Sequence, residues 1–294
     1  MGELTGTCSA LSQALSEPQA GTAAVASTWL CLEQPGPWGA EALHESRLDS
    51  GLAAELAARA KGTGVRIALI RRPGGRGERE DVRQVLLACT LPGASWLERV
   101  ELSEPKQLLD LDFEAAGNGE PVGFGQRCAE PVLLVCTNGR RDVCCAVRGR
   151  PVARDLAEEF PGQVWETTHT GGHRFAPTGV LLPTGYAYGR LDQAAGRRLL
   201  VSAAQGVVEL ADCRGRSAFS RAGQVAELAV RALVGERNPE ALDVDSGTVV
   251  RHVDGRHWRV HISSRELTPA RSTSCGKSAA VPVAFEVEAI ERID

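Results

Sequence analysis

The first part of the chain alternates short apolar runs with one amphipathic segment. The stretch at 49–64, "DSGLAAELAARAKGTG", predicts a short helix with Asp49 or Ser50 as its N-cap and a glycine stop. Four short apolar runs bounded by turn residues are predicted as strands, at 27–33, 65–72, 83–90 and 95–102. This order predicts an N-terminal α/β domain over residues 1–125.

A second alternation follows a glycine-rich stretch near residues 118–126. Its order is β-α-β-β-β-α. Strands are predicted at 131–136, at 162–167 and twice within 175–191, and helices at 142–162 and 220–235. Gly149 and Pro151 are expected to interrupt the start of the first helix. The order is that of a thioredoxin-like core, in which Pro177 would precede the third strand. We predict such a domain over residues 126–240.

The C-terminal residues 241–294 alternate polar and apolar positions, which predicts a β extension. The stretch "GTVVRHVDGRHWRVHIS" reads as a hairpin that turns at Asp254-Gly255, and "VPVAFEVEAIERI" reads as a final strand. We interpret the three histidines of the hairpin as residues of a solvated face: His252, His257 and His261.

Composition narrows the classes of function. Hydrophobic residues make up 43% of the 294 residues and charged residues 24%, with a net charge of −4. This balance gives no broad attraction to nucleic acid or to anionic lipid. No run approaches 18 apolar residues, and the N-terminus lacks the pattern of a secretory signal. We therefore expect a cytoplasmic protein that binds neither nucleic acid nor membrane.

The nine cysteines would not form a disulfide framework in a reducing compartment. Cys31 and Cys89 lie inside apolar runs and are interpreted as buried core residues. The same interpretation is given to three cysteines without ligand-like neighbours in sequence: Cys8, Cys128 and Cys213.

Two segments carry residues that could bind a metal together. "CTNGRRDVCCAVRG" (136–149) holds three cysteines, and "HTGGH" (169–173) holds two histidines. In a thioredoxin-like order, the loops that follow the first two strands lie at the same end of the sheet. Zinc and a 2Fe–2S cluster both accept two cysteines with two histidines. Eight residues separate Cys136 from Cys145, and so wide a loop favours the larger two-iron cluster over the usual zinc-finger spacing.

These segments, followed by "GVLLPTGYAYG", resemble the sucrase/ferredoxin-like family, as do the N-terminal "STWLCLEQPGPWG" and the C-terminal "TSCGK". The resemblance implies a thioredoxin-like ferredoxin domain that holds a 2Fe–2S cluster through two cysteines and two histidines. Matched residue by residue, it implies the ligands Cys136, Cys145, His169 and His173. Cys144, directly before Cys145, is the alternative for the second cysteine ligand.

The ligand set predicts how such a site would behave. Two thiolates and two neutral imidazoles leave an oxidised 2Fe–2S core neutral, whereas four thiolates leave it doubly negative. The reduction potential should therefore exceed the roughly −400 mV of plant-type clusters and approach the ~−150 to +300 mV of Rieske centres. Because a ligating imidazole keeps one N–H proton that it can lose, reduction could be coupled to proton uptake.

The expected function is one-electron transfer by a carrier, rather than by a stand-alone enzyme. The chain has no G-x-G-x-x-G after a strand, so a separate reductase or small donor must supply the electrons, and the sequence does not identify the acceptor. No paired carboxylates support glycoside hydrolysis. Two alternatives stay open: a thiol redox enzyme that uses Cys144, Cys145 or Cys275, and a zinc-stabilised binding module.

Overall fold

The fold is mixed α/β and is built on a large, mostly antiparallel sheet. The computed structural model describes residues 6–75, 81–245 and 247–293, and in this part of the chain ten strands form the sheet in the order β10-β9-β8-β6-β7-β2-β1-β3-β4-β5. The strands are β1 (Thr28–Glu33), β2 (Val65–Arg71), β3 (Arg83–Cys89), β4 (Trp96–Leu102), β5 (Gln126–Arg127), β6 (Val132–Cys136), β7 (Val164–Thr167), β8 (Gly179–Leu182), β9 (Tyr186–Tyr188) and β10 (Cys213–Arg216).

The two halves of this sheet have the same strand order and directions. In the first half β1 pairs parallel with β2 and antiparallel with β3, and β3 pairs antiparallel with β4. In the second half β6 pairs parallel with β7 and antiparallel with β8, and β8 pairs antiparallel with β9. The halves join where β2 and β7 run antiparallel, with Ile70 opposite Thr167. The sheet is therefore continuous from one half to the other.

The helices follow their local sequence signals where those signals are strong. They are α1 (Cys8–Ala14), α2 (Ala42–Glu45), α3 (Ser50–Ala60), α4 (Phe113–Gly117), α5 (Val143–Glu159), α6 (Gln193–Ala204) and α7 (Arg221–Val234). Of the two predicted N-caps, Asp49 is the one that caps α3, by accepting a hydrogen bond from the Leu52 amide at 2.8 Å. Gly235 ends α7 in the left-handed region at φ +70°, at the end of the segment predicted over 220–235.

The expected break at Gly149 and Pro151 is wrong, because α5 continues through both residues. Pro151 lies in the third turn, where its ring removes one hydrogen bond without ending the helix. Gly149 allows close packing, since a Cβ atom there would lie 2.4 Å from the carbonyl oxygen of Cys136. The lack of a side chain thus brings α5 against the end of β6.

Among the described residues, six elements around the large sheet have no counterpart in the prediction: α1, α2, α4, α6, β5 and β10. The sequence of β10 is "CRGR", and both of its arginines are fully buried. A strand whose core-facing residues are charged gives no alternation of hydrophobic and polar positions, so periodicity could not reveal it.

A second sheet of four strands lies near the C-terminus, in the order β11 (Leu242–Val244), β12 (Val249–His252), β13 (His257–Glu266) and β14 (Val283–Ile293). The predicted hairpin with its turn at Asp254-Gly255 is confirmed by the antiparallel pairing of β12 and β13. The interpretation of His252 as solvated is wrong, since its side chain is only 8% exposed and binds Glu236. The interpretation of His261 as solvated is confirmed, since its side chain is 44% exposed.

The core lies on both faces of the large sheet. Cys31 and Cys89 are fully buried in it, and Cys213 is nearly so, as predicted. Trp29 and Trp165 pack in one apolar cluster that spans both halves of the sheet. Among the described residues, no helix combines the length and the apolar character that a membrane crossing requires.

Candidate metal centre

The parallel pair β6 and β7 brings two of the predicted segments to one edge of the sheet. Cys136 is the last residue of β6 and lies opposite Thr167, the last residue of β7. His169 follows β7 by two residues, and α5 begins seven residues after Cys136. Parallel strands end on the same side, so both loops leave the sheet there.

The four side chains singled out by the sequence converge at this edge. The Sγ atom of Cys145 lies 3.7 Å from Nδ1 of His173. The rings of His169 and His173 stack with their centroids 3.9 Å apart and their planes inclined by 14°. Cys136 interacts through its thiol with Cys145 and with His169. We call Cys136, Cys145, His169 and His173 the cysteine–histidine group.

Burial and mutual hydrogen bonds together shift the pKa values of this group. Burial, assisted by the neighbouring His169, lowers the pKa of His173 to about 4, so its imidazole is neutral at pH 7. The hydrogen bond from Cys145 lowers the pKa of the Cys136 thiol, against the opposing effect of burial, and His169 lowers it further. The same hydrogen bond raises the pKa of Cys145. Two hydrogen-bonded thiols with oppositely shifted pKa values therefore lie beside a neutral His173 ring.

A buried arginine, Arg214, binds the loop of residues 169–173, which we call the histidine loop. Arg214 donates to the carbonyl oxygen of Gly171 at 3.0 Å and to Oγ1 of Thr22 at 3.0 Å. Burial lowers the pKa of Arg214 to about 10. Gly171 and Gly172 have φ values of +83° and +71°, which favour glycine. A Cβ atom on Gly172 would lie 2.4 Å from Nη2 of Arg214. Arg214 is not among the residues predicted from the sequence, because nothing in "CRGR" indicates that its side chain binds this loop.

Cys144 packs in the same buried cluster as Cys136 and Cys145, but its sulfur contacts a second group of side chains. Its Sγ atom lies 3.2 Å from that of Cys275 and 3.8 Å from that of Cys8, and Cys8 and Cys275 are 3.5 Å apart. A carboxylate oxygen of Asp142 lies 3.7 Å from the sulfur of Cys8. We call Cys8, Asp142, Cys144 and Cys275 the cysteine–aspartate group. Adjacent cysteines thus belong to two different groups.

Asp142 fixes the positions of two of these cysteines. It caps α5 by accepting from the Cys144 amide at 2.9 Å, and it accepts from the Cys275 amide at 2.8 Å and from the Ser274 hydroxyl at 3.0 Å. Burial works to raise the pKa of Asp142, but the backbone N–H groups of Cys275 and Cys144 outweigh it and the pKa is lowered. The hydrogen bond from Cys8 lowers the pKa of Cys144 to about 5.

The cysteine–aspartate group could hold a metal ion, and it contains no histidine. Within the described residues it is the one set of three or more cysteine, histidine or acidic ligand atoms that all lie within 4.8 Å of one another. From the sequence, Cys8 is predicted to be a core residue, and Cys275 is not among the predicted ligands. No spacing could have joined them, because 267 positions separate the two.

Fold and site together define a mixed α/β protein with a potential metal-binding site of cysteine and aspartate. The chain belongs to the sucrase/ferredoxin-like family, whose model matches residues 19–215, more than half of the 294 residues. This match confirms the resemblance for the motifs within that range, whereas "TSCGK" lies beyond it. Among curated proteins none matches the chain, and among solved structures none does either.

The matched range covers one group completely and the other only in part. It contains all of the cysteine–histidine group, together with Asp142 and Cys144. Cys8 lies before it and Cys275 lies beyond it.

Proposed function

We propose that this protein is a one-electron carrier, whose cysteine–histidine group holds a 2Fe–2S cluster. The observation that carries the proposal is the convergence of two thiols and two imidazoles at one edge of the sheet. Membership in a ferredoxin-like family supports the same function. The order β7-β6-β8-β9, with β8 antiparallel to β6, supports a thioredoxin-like arrangement of the strands around the group.

The donors fit such a cluster in kind. Thiolate sulfur and neutral imidazole nitrogen are the donors of mixed-ligand 2Fe–2S centres. The low pKa of His173 keeps its ring neutral. The donors are also paired by type, because the two thiols interact with each other and the two rings stack.

The spacing of the donors favours two irons over one zinc. A single tetrahedral ion needs its four donors close together, since its bonds are only about 2.0–2.3 Å long. In the described part of the chain, only the cysteine–aspartate group has three or more ligand atoms within 4.8 Å of one another. The donors of the cysteine–histidine group are spread more widely, which suits a two-iron cluster better than a single ion.

When bound, a 2Fe–2S cluster supplies one-electron redox chemistry. The protein's own part is to supply donors of low total charge and to exclude water from the two thiols. Cys136 and Cys145 are each 1% exposed. Two neutral imidazoles in place of thiolates should raise the potential above roughly −400 mV, towards the range of Rieske centres.

We extend the proposal to proton-coupled redox. His173 lines a cavity of about 270 Å³ together with Arg141, Ser274 and Lys277, so its ring lies beside a space that water could enter. Nδ1 of His173 faces Cys145, which leaves Nε2 to carry the exchangeable proton. The midpoint potential should fall with rising pH by up to ~59 mV per unit for one electron and one proton. A constant midpoint between about pH 6 and 10 would exclude this coupling.

The direct test is protein purified without oxygen. We expect two irons and two acid-labile sulfides per chain, a red-brown colour, and an EPR signal after reduction by one electron. The adjacent cysteines supply a matched pair of variants: Cys145→Ser should lose the iron, while Cys144→Ser should keep it. A colourless protein, or equal iron loss in both variants, contradicts the assignment.

A second candidate function is thiol redox catalysis. One observation favours it, the 3.2 Å separation between the sulfurs of Cys144 and Cys275, which is short enough for disulfide formation after a small movement. Thiol titration and intact-mass measurement of the oxidised protein would reveal a reversible loss of two hydrogens. The donor and the acceptor of electrons would in either case be separate molecules.

A further inference from the structure

We propose that Cys8, Cys144 and Cys275 bind a single Zn²⁺ ion, with a carboxylate oxygen of Asp142 as the fourth donor. The three sulfurs lie 3.2, 3.5 and 3.8 Å from one another. Zinc–sulfur bonds of about 2.3 Å in a tetrahedron place the sulfurs about 3.8 Å apart. The three sulfurs therefore surround one point at nearly the distances that one tetrahedral ion requires.

The kind of donor selects the kind of metal. Three thiolates favour zinc over magnesium or calcium, which prefer oxygen ligands. Cys8 and Cys144 are buried and Cys275 is half-buried, so the site is enclosed and opens only at Cys275. Zinc would also account for the close approach of three thiols, since coordination replaces their protons with one shared cation.

Asp142 is placed to complete the tetrahedron. Its two carboxylate oxygens lie 3.7 and 4.0 Å from the sulfur of Cys8. Hydrogen bonds from Ser274 and from the backbone amides of Cys144 and Cys275 fix the orientation of the carboxylate. Such outer hydrogen bonds are typical of ligating carboxylates.

The ion would join three distant parts of the chain. Cys8 begins α1, Cys144 lies in the first turn of α5, and Cys275 lies in the loop between β13 and β14. Cys8 and Cys275 also lie outside the range matched by the family model. Zinc would thus join α1 and the loop between β13 and β14 to the start of α5, beside the cysteine–histidine group. This inference does not depend on the 2Fe–2S proposal.

The test is metal analysis of the full chain, produced with both zinc and iron supplied. Wild-type protein should contain one zinc per chain in addition to any iron. Cys275→Ser and Cys8→Ser should each lose that zinc, while Cys128→Ser, a partly buried cysteine of neither group, should keep it. His173→Ala should also retain the zinc, which separates this site from the cysteine–histidine group.

Cobalt gives a second readout that does not rely on the cysteine variants folding. Wild-type protein stripped of zinc under reducing conditions and given Co²⁺ should show the intense visible absorption of tetrahedral cobalt–thiolate. Asp142→Asn should shift that spectrum. The proposal is overturned by wild-type protein without zinc, by Cys275→Ser protein that retains it, by iron at these cysteines, or by a Cys144–Cys275 disulfide in protein prepared without oxygen.

Discussion

Nε of Arg271 lies 3.0 Å from Oε2 of Glu17, in the interior of the protein. The other carboxylate oxygen, Oε1, accepts from Arg174 at 2.5 Å. Arg174 follows His173 directly, and Arg271 lies four residues before Cys275. One buried carboxylate therefore fastens the segment after α1, the histidine loop and the C-terminal loop to one another.

Glu17→Gln should destabilise the protein by about 3–5 kcal/mol, because it leaves two largely buried guanidinium groups without their counter-charge. Urea unfolding measures this change. The matched control is Glu55→Gln, which removes an exposed pair with Arg59 and should cost less than about 1 kcal/mol. Equal effects of the two substitutions would mean that Glu17 does not hold these segments together.

Gly172→Ala should disturb the histidine loop in two ways, through strain in the left-handed backbone and through a clash of the new Cβ atom. The added Cβ would meet Arg214, which cannot move freely because it is buried and hydrogen-bonded. The control is Gly206→Ala. Gly206 has a similar φ of +69° but open space around it, so this substitution should destabilise the protein only through left-handed backbone strain, by about 1–2 kcal/mol. We expect iron loss in Gly172→Ala alone, measured by iron content after desalting. Full iron in Gly172→Ala would show that the loop tolerates displacement of Arg214.

His169→Cys or His173→Cys should keep a cluster and lower its potential towards roughly −400 mV, because each change adds a negative charge to the ligand set. Redox titration followed by absorption measures the shift. An unchanged potential would argue against histidine ligation. Loss of all iron would instead mean that the imidazoles also set the geometry of the site.

The contact between Glu236 and His252 predicts a pH dependence of stability. Nε2 of His252 lies 2.8 Å from Oε2 of Glu236, and this hydrogen bond lowers the pKa of Glu236 from 4.5. A depressed folded-state pKa gives stability that is present above the unfolded value and is lost as pH falls through the folded one. Wild type should therefore lose more stability than His252→Gln on acidification below about pH 4.5. Parallel curves of unfolding free energy against pH for the two proteins would contradict this.

The local pattern of the chain was enough to predict most of the strands, α3 with its Asp49 cap, and the hairpin at Asp254-Gly255. These features depend on neighbours in sequence, through periodicity, capping and turn chemistry. The meeting of Cys136 with the histidine loop was also predictable, because parallel strands that adjoin each other end at the same edge of the sheet.

Tertiary contacts decided the rest. Cys8 and Cys275 meet Cys144 across more than a hundred residues, and no spacing encodes such a meeting. Arg214 and Arg216 are buried because backbone carbonyls from distant loops accept their hydrogen bonds, whereas their sequence reads as an exposed polar run. The division of Cys144 and Cys145 between two groups follows from helix geometry at the start of α5, where successive side chains point about 100° apart.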